Sequence, residues 1–199
     1  MDKSEILYDH YKESNELIQN ARKDRDKFFK YLCLAILCNF IFLIYPDEIL
    51  SIINQLLKHN YSVTISITYV IIQSSCWILI TYSLIQYLHK SVYIERQYPY
   101  INYLEKELSS NLDTNIFNRE SAYYLNNYPP ILKTLDFFYK WIVPLIIILI
   151  NGIKLYYEYV RKVCSFLKIV DTLCFLFISL LIILYLKMLH FEKKNKNKH

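Results

Sequence analysis

Lys168 and Asp171 stand three residues apart in Cys164–Leu186, a stretch with no other charged residue. In a helix that spacing puts both on one face. The stretch is long enough to cross the hydrocarbon core of a bilayer, which takes ~20 helical residues for about 30 Å. Asp171 would lie ~10 Å past its start at 1.5 Å per residue. A carboxylate at that depth is costly, and it points to an ion or proton path or to a paired charge that fixes helix register. Asn39, Gln73 and Asn151 are uncharged polar groups in other apolar stretches. Their chemistry suits hydrogen bonds between helices, or contact with a substrate. Asp136 and Lys140 form an i,i+4 pair, in the order that favours the helix dipole, where a third apolar stretch begins. An interfacial anchor is expected there.

Outside the apolar stretches, charge and aromatic residues recur together. Tyr93-Ile94-Glu95-Arg96-Gln97-Tyr98 is followed by Arg119-Glu120 and Tyr123-Tyr124. Arginine beside tyrosine can stack and can hold a phosphate or a partner's carboxylate. Glu95, Arg96, Arg119 and Glu120 are therefore candidates for a cross-helix charge network that binds a cytoplasmic protein partner. The alternative is a solvated helical surface.

Catalytic patterns are lacking. The histidines (His10, His59, His89, His190 and His199) are scattered, and neither H-E-x-x-H nor G-x-S-x-G occurs. Glu95 and Glu120 are the one carboxyl pair that could serve an intramembrane enzyme acting on lipid. The cysteines Cys33, Cys38, Cys76, Cys164 and Cys174 lie in or beside apolar stretches and form no C-x-x-C pair. They suit apolar packing better than zinc, a disulfide framework or nucleophilic chemistry. The chain has one glycine, Gly152, where average usage of about 7% would give ~14. Glycine-rich phosphate loops are excluded, and a sheet rich in tight turns is disfavoured. No cofactor and no metal is expected.

The elements that must position these groups follow from hydropathy. Val63 to Leu88 is 26 residues without a charge, longer than a soluble core helix needs. Phe28–Tyr45 and Phe137–Tyr157 are also apolar, and Pro46 ends the first of these. The sequence predicts an all-α integral membrane protein with four transmembrane helices in two hairpins, at 28–45, 63–88, 137–157 and 164–186. A small helical cytoplasmic module would combine the N-terminal helix, 1–27, with the central segment, 89–136. The helix at 93–110 is expected to break or kink at Pro99. Residues 46–62 form a short external loop. Pro46, Asp47 and Glu48 open its helix and Lys58 and His59 close it, with Ile49, Ile52, Ile53, Leu56 and Leu57 as an apolar face. That face lies in the membrane interface or packs on the bundle. Residues 158–163 make the second external turn, and 187–199 a basic tail. Thr64, Thr68, Ser75, Tyr82 and Gln86 recur near one face of the second span, for helix contact or a pore lining.

Lysine and arginine number seven around the N-terminal segment (with Lys30), six around the central one (with Lys140) and five in the tail (with Lys187). The loop after the first span has Lys58, and the loop after the third has Lys154, Arg161 and Lys162. Positive charge favours the cytoplasmic side, so both termini are expected inside the cytoplasmic (inner) membrane. Residues 89–136 carry five basic against six acidic residues, so direct nucleic-acid binding is not expected. The lysine tail suits anionic lipid.

The abundance of isoleucine, asparagine, lysine and tyrosine points to an AT-rich bacterial genome. In outline the chain resembles small multi-span bacterial membrane subunits and effectors with a helical cytoplasmic part. That likeness is one of topology alone; polar groups in the spans without catalytic groups outside them point to a non-enzymatic homo-oligomer coupling a cytoplasmic module or partner to a membrane response, as in an anti-phage defence effector. The alternatives are a small ion channel or transporter subunit, and a membrane anchor or sensor that recruits a cytoplasmic enzyme.

Overall fold

Residues 3–61, 69–111, 130–160 and 165–196 are described in a computed structural model of the chain. Among them the architecture is all-α. The elements are α1 (Lys3–Ile44), α2 (Pro46–Tyr61), α3 (Tyr69–Asn111), α4 (Pro130–Phe137), a π-helical turn (Phe138–Ile142), α5 (Val143–Val160) and α6 (Ser165–Lys196).

Local chemistry explains most of the boundaries. Pro46 opens α2, where its missing N–H costs no hydrogen bond. Asp47 and Glu48 occupy the first turn of α2, and Lys58 and His59 the last. Pro130 opens α4 in the same way. The π turn falls just before Pro144. In a regular α-helix that ring would press on the carbonyl of Lys140, four residues back, and leave it unbonded. A wider turn relieves both problems.

Pro99 behaves differently from expectation. The sequence predicts a break or kink, and the break is not made: α3 continues through Pro99 to Asn111. Proline in a helix interior costs roughly 3 kcal/mol. Pro99 is exposed, while Ile94, Ile101, Leu104 and Leu108 on either side of it in sequence are buried. Burying one such side chain is worth roughly 1.5–3 kcal/mol. Four of them outweigh the proline.

Among the described residues, three helices are long and apolar enough to cross a membrane: α1, the segment Phe138–Val160 and the segment Lys168–Met188. Four were expected. The missing one is 63–88. Residues 62–68 lie outside the described part, and the rest of that stretch intersperses Gln73, Ser74, Ser75, Thr81, Tyr82 and Ser83 among its apolar residues.

The chain divides into two compact units, Met1–Lys27 with Gln86–Lys140, and Phe28–Ile85 with Trp141–His199. In the first unit α1 and α3 run antiparallel, as three contacts of opposite numbering require. Tyr11 Oη donates to Glu105 Oε1 at 3.4 Å, Arg22 Nη2 to Tyr98 Oη at 2.6 Å, and Lys90 Nζ to Asp24 Oδ2 at 2.7 Å. Ile18, Leu104 and Leu108 form its apolar centre.

In the second unit α5 and α6 pack on each other. They too are antiparallel, since Tyr159 Oη meets Thr172 Oγ1 at 3.1 Å and Gly152 lies against the Phe175 ring. Leu32, Trp77, Ile80, Leu84, Ile178 and Ile182 are fully buried. The outer surface of this unit is apolar. Leu34, Leu37, Ile78, Leu149, Leu173 and Leu176 are each more than half exposed. Among the described residues, three charged side chains, Lys154, Glu158 and Asp171, sit inside, while Lys30, Asp47, Glu48 and Lys58 stay exposed. Water-soluble domains have the opposite arrangement.

Candidate functional site

The buried charges of the second unit come from α5 and α6, and α3 brings Gln73 and Trp77 to them. Lys154 and Glu158 lie one turn apart on α5, so their side chains rise on the same face. Lys154 Nζ stands 3.1 Å from Glu158 Oε1, and each side chain is 1% exposed. The ammonium also lies over the ring of Trp77 on α3, 4.3 Å from its centroid. Gln73, one turn before Trp77, donates through Nε2 to Glu158 Oε1 and, at 3.3 Å, to Asp171 Oδ2 of α6. Gln73 and Asp171 are each 1% exposed.

Formal charges do not balance in this cluster. One ammonium faces two carboxyl groups. Hydrogen bonding is also incomplete, because the acceptors Gln73 Oε1, Glu158 Oε2 and Asp171 Oδ1 are buried and have no hydrogen-bond partner among the described residues, and the ion-paired Lys154 Nζ makes no well-aligned hydrogen bond there either. Acceptors left in that state cost about 1–3 kcal/mol each, and more when charged. No three His, Cys, Asp or Glu side chains converge among the described residues, so a site for a thiolate- or imidazole-bound metal is not formed there. What the arrangement can do is hold a small positive charge, or exchange one.

The structure sorts the sequence candidates. Asp171 and Gln73 meet. The expected pairing of Asp171 with Lys168 is not made. Lys168 is half-exposed, and its ammonium lies 5.3 Å from the centre of the Tyr159 ring. Three residues along α6 turn the two side chains far enough apart for Asp171 to face the core while Lys168 stays at the surface. Asn151 is 1% exposed, but its Nδ2 bonds back to Ile147 O of its own helix at 2.8 Å. Asn39 is 3% exposed, and its Oδ1 has no hydrogen-bond partner among the described residues.

Lys140 pairs at 2.7 Å with Glu95, a contact distant in sequence. The side chain of Asp136, its expected partner, lies outside the described part. Arg96 is exposed on α3. Arg119, Glu120, Thr64, Thr68 and Lys198 lie outside the described residues, and the side chains of Lys193, Lys194 and Lys196 are outside the described part.

Sequence reasoning missed Lys154 and Glu158. Lys154 falls inside the expected third span, 137–157, but enters the sequence reading only in the count of positive charge, and Glu158 falls in the expected external turn. The helix runs three residues past that boundary, to Val160. The available signal was an i,i+4 Lys–Glu pair at the end of an apolar run. Gln73 lies 85 residues from Glu158 and 98 from Asp171 along the chain, and no local pattern links it to them.

Comparison of the chain with known protein families, with curated proteins and with solved structures finds no match.

Proposed function

We propose that the chain is a non-enzymatic, oligomeric four-span protein of a bacterial inner membrane. In this reading both termini are cytoplasmic, and a helical cytoplasmic unit, alone or with a protein partner, governs the permeability of a polar bundle in the lipid. The observation that carries the proposal is the Lys154–Glu158–Gln73–Asp171 cluster, fully buried in a unit whose outer face is apolar. Ionisable groups at membrane depth are rare where they serve nothing but packing. Two features add support. Both α1 and α3 contribute residues to both units, so a change in one unit has a covalent route to the other. The amphipathic α2 leaves Ile52 and Leu56 exposed, which suits contact with lipid.

The test is permeability. The purified chain is reconstituted into liposomes that hold an ion-diffusion potential, with a voltage-sensitive dye as the readout. Wild type is expected to dissipate the potential, and Asp171→Asn to slow the loss at least severalfold. Liposomes that keep their potential at every protein density would overturn the permeability reading and favour an anchor that recruits a cytoplasmic enzyme.

A further inference from the structure

We propose that the free oxygens of Glu158, Asp171 and Gln73 form a site for one small monovalent cation, a proton or a sodium ion. The inference rests on the membrane reading above and names the ligand of its buried cluster. Three observations carry it. One ammonium opposes two carboxyl groups, so the cluster is one positive charge short of neutral. Three acceptor oxygens, one each from α3, α5 and α6, have no partner among the described residues, although their side chains are each 1% exposed. Gln73 Nε2 serves both carboxyls, which holds the two groups side by side, and the Lys154 ammonium faces Glu158 Oε1 rather than the three free oxygens.

Charge decides the class of ligand. A monovalent cation makes the cluster neutral. A divalent ion would leave it positive beside the Lys154 ammonium, and an anion would deepen the imbalance. Burial makes such an imbalance expensive, because few solvent dipoles are present to screen it. Among the described residues, the titratable groups around the two carboxyls are Lys154 on α5, the Cys174 thiol on α6, and the Cys76 thiol of α3 beside Lys154. Lys154 is the cation among them. If the ligand is a proton, it leaves hydronium as water and forms an O–H bond on one carboxyl, which then donates to a neighbouring free oxygen. If it is sodium, the three oxygens replace part of its hydration shell and no covalent bond changes.

Infrared difference spectroscopy on the full chain in lipid nanodiscs tests this directly. One arm changes pH in sodium-free buffer, and the other adds sodium at fixed pH. For a proton, a C=O band of a protonated carboxyl should grow as pH falls. It should shift when wild type carries 13C-labelled aspartate or glutamate, which assigns it without any substitution. It should vanish in Glu158→Gln or Asp171→Asn and persist in Glu105→Gln. For sodium, the carboxylate bands of wild type should shift on adding the salt, and any protonated band should disappear. Carboxyl bands of wild type that match those of the Glu158→Gln/Asp171→Asn double variant under both arms would overturn the site. That result, with liposome permeability intact, would leave the functional proposal standing. A responsive band in a chain that does not permeabilise liposomes would do the reverse.

Discussion

Lys154 and Glu158 hold their charged ends 3.1 Å apart inside the second unit, each side chain 1% exposed. The pair is not closed on itself. Gln73 ties Glu158 to Asp171, so the smallest complete arrangement has four side chains from three helices. Removing different members of that group should therefore give unequal results.

Lys154→Met should be the most damaging single change. It strands two carboxyl groups in the core. Breaking a buried pair by removing one partner costs about 3–5 kcal/mol. Adding Glu158→Gln to Lys154→Met should recover more than half of that loss, because Gln73 and Asp171 keep a hydrogen-bonding neighbour. Thermal unfolding in detergent measures both. A double variant no more stable than Lys154→Met would mean that the two charges do not interact.

Gln73→Leu should cost about 1–3 kcal/mol by removing the donor shared by Glu158 and Asp171. Gln73→Asn shortens the reach by one methylene and should do nearly as much damage. Full stability in Gln73→Leu would show that the two carboxyls are held by other groups.

In the first unit, Glu95 and Lys140 meet at 2.7 Å with side chains 17% and 28% exposed. A double-mutant cycle with Glu95→Gln and Lys140→Met should give a coupling energy of about 1 kcal/mol, weakened by added salt. A coupling indistinguishable from zero at low salt would reduce the contact to a surface coincidence.

Asp24 is hydrogen-bonded to Lys90 at 2.7 Å. The bond and the charge of Lys90 hold its carboxyl below the ordinary value of 3.8. A depressed folded value means that the bond stabilises the folded state above the unfolded value, and that this contribution is lost as pH falls through the folded one. Carboxyl NMR of the labelled chain should show Asp24 titrating below 3.8. The midpoint should move up in Lys90→Met. An unmoved midpoint would assign the shift to something other than Lys90.

Gly152→Ala should be tolerated. An added Cβ would stand 3.7 Å from the Phe175 ring, an ordinary contact. Alanine also favours helix over glycine by up to about 1 kcal/mol. A loss of stability in calorimetry would show that α5 and α6 approach more closely than this contact implies.

Much of this protein is set locally. Apolar runs with periodic polar residues, Pro46 at the start of α2, and a single glycine in the whole chain determine an all-helical protein with helices long enough for lipid. Those features act over one or two turns, so they are visible in one dimension. The unbroken helix through Pro99 was not predictable in that way. Buried neighbours outweigh the local penalty there.

The site divides along the same line. Composition alone marks Asp171 and Gln73 as polar groups among apolar residues, because burying either has a cost wherever the chain goes. Which charge balances Asp171 was decided by tertiary structure. Lys168 is the nearest lysine in sequence and points to the surface, whereas Lys154 and Glu158 enter the core from another helix. Hydropathy is a property of each residue, but the partner of a buried charge depends on how helices rotate about their axes when they pack. That rotation is set by all the contacts together.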